Sequence, residues 1–131
     1  MSAFIVELAG WVADNTALTY GTDFFVRGIP DQAGTMAALL EEDPLDTDVP
    51  RAFGLSAEFR AKGESAESIT DEVFSWLLDR DGADQLPEGF ALDNWSVKIL
   101  KVNTSRPKTE GVNAADEPIW FFPFSIIYTA R

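Results

Sequence analysis

Histidine and cysteine are both absent from the 131-residue chain. Without cysteine there is neither a disulfide nor a thiolate metal site. Without histidine there is no imidazole general base, no Ser-His-Asp triad and no histidine-ligated zinc. Any enzyme chemistry would have to come from carboxylates, lysine, tyrosine or a carboxylate-bound metal. Positive charge is scarce as well. Ten Lys and Arg face 22 Asp and Glu, a net charge of −12 and a pI near 4.2. Such a surface repels nucleic acid, so sequence-specific nucleic-acid binding is not expected. Repulsion is still useful where DNA must pass close by without sticking, and high charge keeps a protein soluble before it assembles. No apolar run reaches about 18 residues, so no membrane span is expected. The start, MSAFIVELAGWVADN, lacks a basic region and carries Glu7, which makes a poor signal peptide.

What remains is an ordinary globular balance, 46% apolar and 24% charged. The length fits one domain over residues 1–131 with a single core. Phe4, Ile5, Leu8, Trp11 and Val12 recur at helical spacing, which predicts a helix over 3–15. Residues 22–28, TDFFVRG, predict a first strand. Residues 35–41, TMAALLE, favour helix by composition. The segment is short and sits between Gly34 and Asp43-Pro44, so strand is the reading adopted. In 52–62, AFGLSAEFRAK, the apolar Phe53, Leu55, Ala57, Phe59 and Ala61 alternate with polar or small residues. That pattern predicts a strand covered on one side only. A helix follows over 65–80, with Ser65 as N-cap, Ile69, Val73, Trp76 and Leu77 as its stripe, and Gly82 closing it. Strands are expected at 95–102 and 119–129, separated by a long polar loop at 103–118. The fold class is therefore α+β: a single, mostly antiparallel sheet of about four to five strands with two helices on one face. The step from strand 52–62 to strand 95–102 crosses right-handed if the two are parallel.

The candidate chemistry is thin. EEDPLDTD at 41–48 is densely acidic but lacks the regular spacing of a cation loop, so it reads as a solvated loop. DRDGAD at 79–84 lacks the later acid that a calcium loop requires and reads as a helix end. Glu58 and Arg60 point the same way on one strand, as a salt-bridged face or subunit contact. Trp11, Trp76 and Trp95 fall on core stripes, whereas Trp120 opens the last strand beside the 103–118 loop. A 16-residue loop in a small domain is usually functional, and this one carries no nucleophile–base pair. No metal, cofactor or catalytic residue is assigned. A small ligand-binding or carboxylate-based catalytic domain is the alternative. It would require a closed apolar pocket with perturbed carboxylates.

Two pieces of sequence carry a resemblance. In the first, a strand of the type V-x-V-x-x-R-x-x-S/D runs directly into a helix, here through Leu55, Ala57, Arg60, Glu64, Ser65, Ala66, Glu72, Val73 and Leu77. In the second, Pro107, Gly111, Asp116, Glu117 and Trp120 lead into the last strand. Spacing in the second piece is longer than the family's usual P-x-x-L-G-x-D-x-x-G, and Pro118 replaces the final glycine. In this order of features the chain resembles the tail terminator and minor capsid (head–tail joining) proteins of long-tailed bacteriophages. The resemblance implies a virion structural protein without enzymatic activity, assembled in the host cytoplasm. Such subunits close into a ring, commonly of six, that caps the tail tube and meets the neck or head-completion proteins, while DNA passes through the channel. A neck or tail-tube subunit of the same particle is a related reading.

On that reading Arg27, Glu58 and Arg60 are candidates for ring or channel contacts. Arg106, Lys108, Glu110, Asp116 and Glu117 are candidates for contact with the tail tube or neck. The last strand is apolar on both faces. Trp120, Phe122, Phe124, Ile126 and Tyr128 suit the core. Ile119, Phe121 and Ile127, on the other face, are expected to meet a neighbouring subunit. Pro123 marks the strand as an edge, shielded there from uncontrolled pairing.

Overall fold

The computed structural model describes residues 3–48, 50–81 and 92–131. The chain runs α1 (Phe4–Asp14), β1 (Phe24–Val26), β2 (Met36–Leu45), β3 (Ala52–Lys62), α2 (Ala66–Leu78), β4 (Trp95–Val102), β5 (Lys108–Val112) and β6 (Pro118–Ala130). The α+β class holds, with six strands in one sheet rather than four to five. The order is β1-β2-β3-β6-β4, and β5 pairs with β6 beyond the end of β4. Among the strands of the described residues only β1 and β2 are parallel neighbours. Because β3 and β4 both run antiparallel to β6, they are parallel to each other with β6 between them.

Alternation in β3 sends Leu55, Ala57, Phe59 and Ala61 inward, all buried. Phe122, Phe124 and Ile126 of β6 join them in one cluster with Phe4, Ile5, Leu8 and Val12 of α1 and Val73, Phe74 and Leu77 of α2. Both helices therefore cover the same face. Full burial of each large side chain contributes about 1.5–3 kcal/mol, which makes this face the main source of stability. The aromatic rings interlock: Phe122 stacks on Phe59 with centroids 5.5 Å apart and meets Phe74 edge-on at 5.2 Å. Trp11 and Trp76 bring the two helices together at 4.3 Å. The strand at 36–45 follows from the same face, since Ala37 and Leu39 are buried against the cluster.

Several local expectations are corrected. The acidic run is not all loop, because β2 continues to Leu45 and pairs there with Gly54. The backbone of Leu45 lies so close that a Cβ at Gly54 would sit 2.6 Å from its carbonyl oxygen, a gap only glycine allows. In β4 a bulge at Lys98, between the pairs Val97–Tyr128 and Ile99–Ile127, shifts the phase so that Val97, Leu100 and Val102 all reach the core. Ser65 does occupy the N-cap position of α2, but its side chain caps nothing; its N–H donates to Thr35 Oγ1 instead. Gly82 and the end of the DRDGAD motif lie outside the described residues.

The edge-strand reading of β6 is overturned. It is flanked by β3 along its length and by β4 and β5 in turn on its other side. Pro123 sits at the handover. The β4 ladder ends at Val102–Phe124 and the β5 ladder begins at Lys108–Phe121. The Pro123 carbonyl points to that side, accepting from Asn103 N–H at 3.1 Å. A strand residue directs its N–H and C=O to the same side, so the missing N–H faces the gap between β4 and β5. The proline costs the β3 ladder nothing.

Candidate functional site

The 103–118 segment is not one loop. Residues 108–112 form β5, and 113–117 make a turn back into β6. Asn113 shapes that turn: its Oδ1 accepts from the N–H groups of Ala115 and Glu117. Asp116 takes a positive φ of 63° at the tip. A bulge between Thr109 and Gly111, with Gly111 at φ 89°, lets Glu110 stand off the ladder. The signals in the sequence were Gly111 and Asn113. Both were submerged in a run of polar residues without alternation.

Two ion-pair systems organise the face of the sheet opposite the helices. In the first, Arg60 on β3 holds Glu58 at 2.7 Å through Nε and Glu110 on β5 through both terminal nitrogens, at 2.7 and 2.9 Å. Its guanidinium lies 4.9 Å from the Phe121 ring centre, so it caps the β6 residue between its two partners. Hydrogen bonding to Glu110, and then to Glu58, keeps Arg60 firmly protonated against its partial burial, and the Arg60 bonds lower the Glu110 pKa.

In the second, Lys62 is almost covered, with 9% of its side chain exposed, and donates to Glu117 Oε1 at 2.9 Å and to the Gln32 carbonyl. Glu117 also accepts from Gly34 N–H and Asn113 Nδ2. Its pKa is lowered, chiefly by the Lys62 bond and then by Asn113. Next to Lys62, Gly63 has a φ of 110°, donates to the Pro118 carbonyl and accepts from Ala66 N–H. A Cβ on Gly63 would lie 2.5 Å from Thr35 Cα. This glycine makes the tight turn from β3 straight into α2, and Lys62–Glu117 ties that turn to the start of β6.

The predicted residues separate accordingly. Glu58, Arg60 and Glu110 are brought together, and Glu117 is drawn into the Lys62 joint. Asp116, Arg106 and Lys108 stay exposed. Arg27 lies just past β1 at φ 68°, mostly exposed and paired with Glu41 at 2.9 Å. Ile119, Phe121 and Ile127 are half-buried on the face opposite the helices. Lys62 and Gly34 were not anticipated, because their partners are set by register and not by spacing; Asn113 was missed although its partners lie only two and four residues on.

Arg106, Pro107, Lys108, Thr109 and Trp120 line an open cleft of about 470 Å³ at the start of β5. Trp120 belongs to the core face and packs against the cluster, with part of its ring left to the cleft. Glu117 also lines an open cleft of about 440 Å³ with Gly34, Thr35, Glu64 and Asp116, but in both lowered carboxylates the salt bridge outweighs desolvation, which is the signature of structural ion pairs. Among the described residues no three carboxylates converge to hold a metal ion, and no helix is long and apolar enough to cross a membrane. No protein-family model and no curated protein matches the chain.

Proposed function

We propose that this protein is a structural subunit that assembles into a ring, closing the tail tube of a long-tailed phage and joining it to the neck. The observation that carries the reading is the joint at Lys62 and Glu117. The two sequence pieces behind the resemblance, 55 positions apart at these residues, meet there in one unit. The strand-to-helix turn and the segment entering the last strand are thus tied to each other. The composition supports the same reading. A subunit of net charge −12 lines a channel that DNA traverses without adhering. The roles envisaged are mechanical, with no substrate turned over. The test is electron microscopy of the purified chain with polymerised tail tubes. A ring on one tube end is expected. A chain that stays monomeric and ignores the tubes contradicts the reading.

A further inference from the structure

Each long side of the sheet carries a local cluster of exposed charge, acidic on one and basic on the other. On one side, β1 reaches only as far as Leu39, so the rest of β2 has no strand beyond it among the described residues. That free arm presents Glu42, Asp43 and Asp46 around Pro44 and an exposed Leu45. It pairs with β3 at Glu41, Pro44 and Leu45, with Glu42 and Asp43 standing out in a bulge between those pairs, and the Leu45 backbone is seated on Gly54. On the other side lies the cleft of Arg106, Lys108 and Trp120. Arg27, Arg60, Lys62, Arg80 and Arg131 each have an acceptor close by. Among the described residues the Arg51, Lys98, Lys101, Arg106 and Lys108 side chains hold none, and of these Arg106 and Lys108 are the two that line the Trp120 cleft. In so acidic a chain, two adjacent unneutralised cations beside an indole are well suited to an acidic segment with an apolar anchor.

A chain cannot place its own arm in its own cleft. Leu45 pairs with Gly54, whereas Trp120 pairs with Ala61, and β3 and β6 fix both positions. That separates arm and cleft by roughly 20 Å along the strands and two strand spacings across them. We infer that the acidic arm of one copy docks in the Arg106–Lys108 cleft of the next copy, with Leu45 against Trp120 and the carboxylates on the two cations. The two surfaces are different patches, so the contact is head-to-tail and repeats around a ring or along a filament. This deepens the ring reading and rests on it only for closure.

Two charge-reversed variants test it: Glu42→Lys with Asp43→Lys, and Arg106→Glu with Lys108→Glu. Circular dichroism checks that each folds, and mass photometry follows assembly in low and high salt. Wild type is expected to assemble beyond dimers and to weaken at least about tenfold in high salt. Each variant alone should associate at least about a hundredfold more weakly, because like charges then face each other. An equimolar mixture should recover assembly with strict one-to-one alternation. Overturning results are a variant that assembles like wild type, a mixture that stays monomeric, or a wild type that is monomeric at the highest concentration it tolerates. Rings that ignore both variants would sink this interface and leave the capping reading standing. A monomeric wild type that still rings on tail tubes would do the same.

Discussion

The two faces of the sheet are built from alternate residues of the same strands, yet different physics holds them. On the face beneath the helices, Phe59, Phe122, Phe124 and Ile126 pack into an aromatic and aliphatic layer closed to water. On the opposite face, Arg60 and Lys62 run charged links across β3, β6 and β5, over the half-buried Phe121 and Ile119. The first face supplies the hydrophobic energy that folds the subunit. The second sets the register of β5 and holds the 113–117 turn, and its links contribute less because they stay partly hydrated.

The largest expected effect lies on the inner face. Phe122→Ala empties the centre of the ring stack and should lower stability by about 3–5 kcal/mol in a denaturant titration. A loss below about 1 kcal/mol would mean that this face is not the folding core.

Next is the turn that couples the two faces. Gly63→Ala forces a side chain into a left-handed backbone position and against Thr35, and should cost about 1–3 kcal/mol. Hydrogen exchange should show faster amides at 108–117, because Lys62 and Pro118 move with the turn.

The outer face is also predicted to be the acid-sensitive one. Glu110 and Glu117 have folded pKa values below the ordinary 4.5, so their pairs stabilise fully above that pH and are lost as pH falls through the lowered values. Acidification also relieves the self-repulsion of the −12 chain, so the clean readout is a difference. Glu117→Gln should be less stable than wild type at neutral pH, and the gap should close below about pH 4.5. A gap independent of pH would remove the ion pair as its cause.

The smallest effect tests a polar intruder beneath the sheet. Thr70 of α2 is fully buried and its hydroxyl has no partner among the described residues. Thr70→Val keeps the shape and should be neutral or stabilising by about 0.5–1 kcal/mol in the same titration.

The inner face was legible from sequence because its signal is periodic. Alternation in 52–62 and helical spacing in 3–15 name most of their buried residues directly; the exceptions are Phe53, which is 52% exposed at the start of β3, and Trp11, which is only partly buried. The outer face was legible only in part. Glu58 and Arg60 lie two apart on one strand, so their pairing follows from spacing. Glu110 and Glu117 reach their cations through register and bulges, which no local pattern encodes. β5 escaped for the same reason: all five of its residues are exposed, so hydrophobic alternation has nothing to report. Pro123 misled because a proline in a strand usually marks an edge, whereas here it fills the gap between two successive partners of β6.

One measurement bears most directly on the proposed division, in which the inner face builds the subunit and the sheet edges build the assembly. It is single-particle electron microscopy of the wild-type chain at a concentration where it associates. The account predicts closed rings in which the acidic arm of each copy meets the Arg106–Lys108 edge of the next. Two-fold dimers joined through Ile119, Phe121 and Ile127 would contradict it.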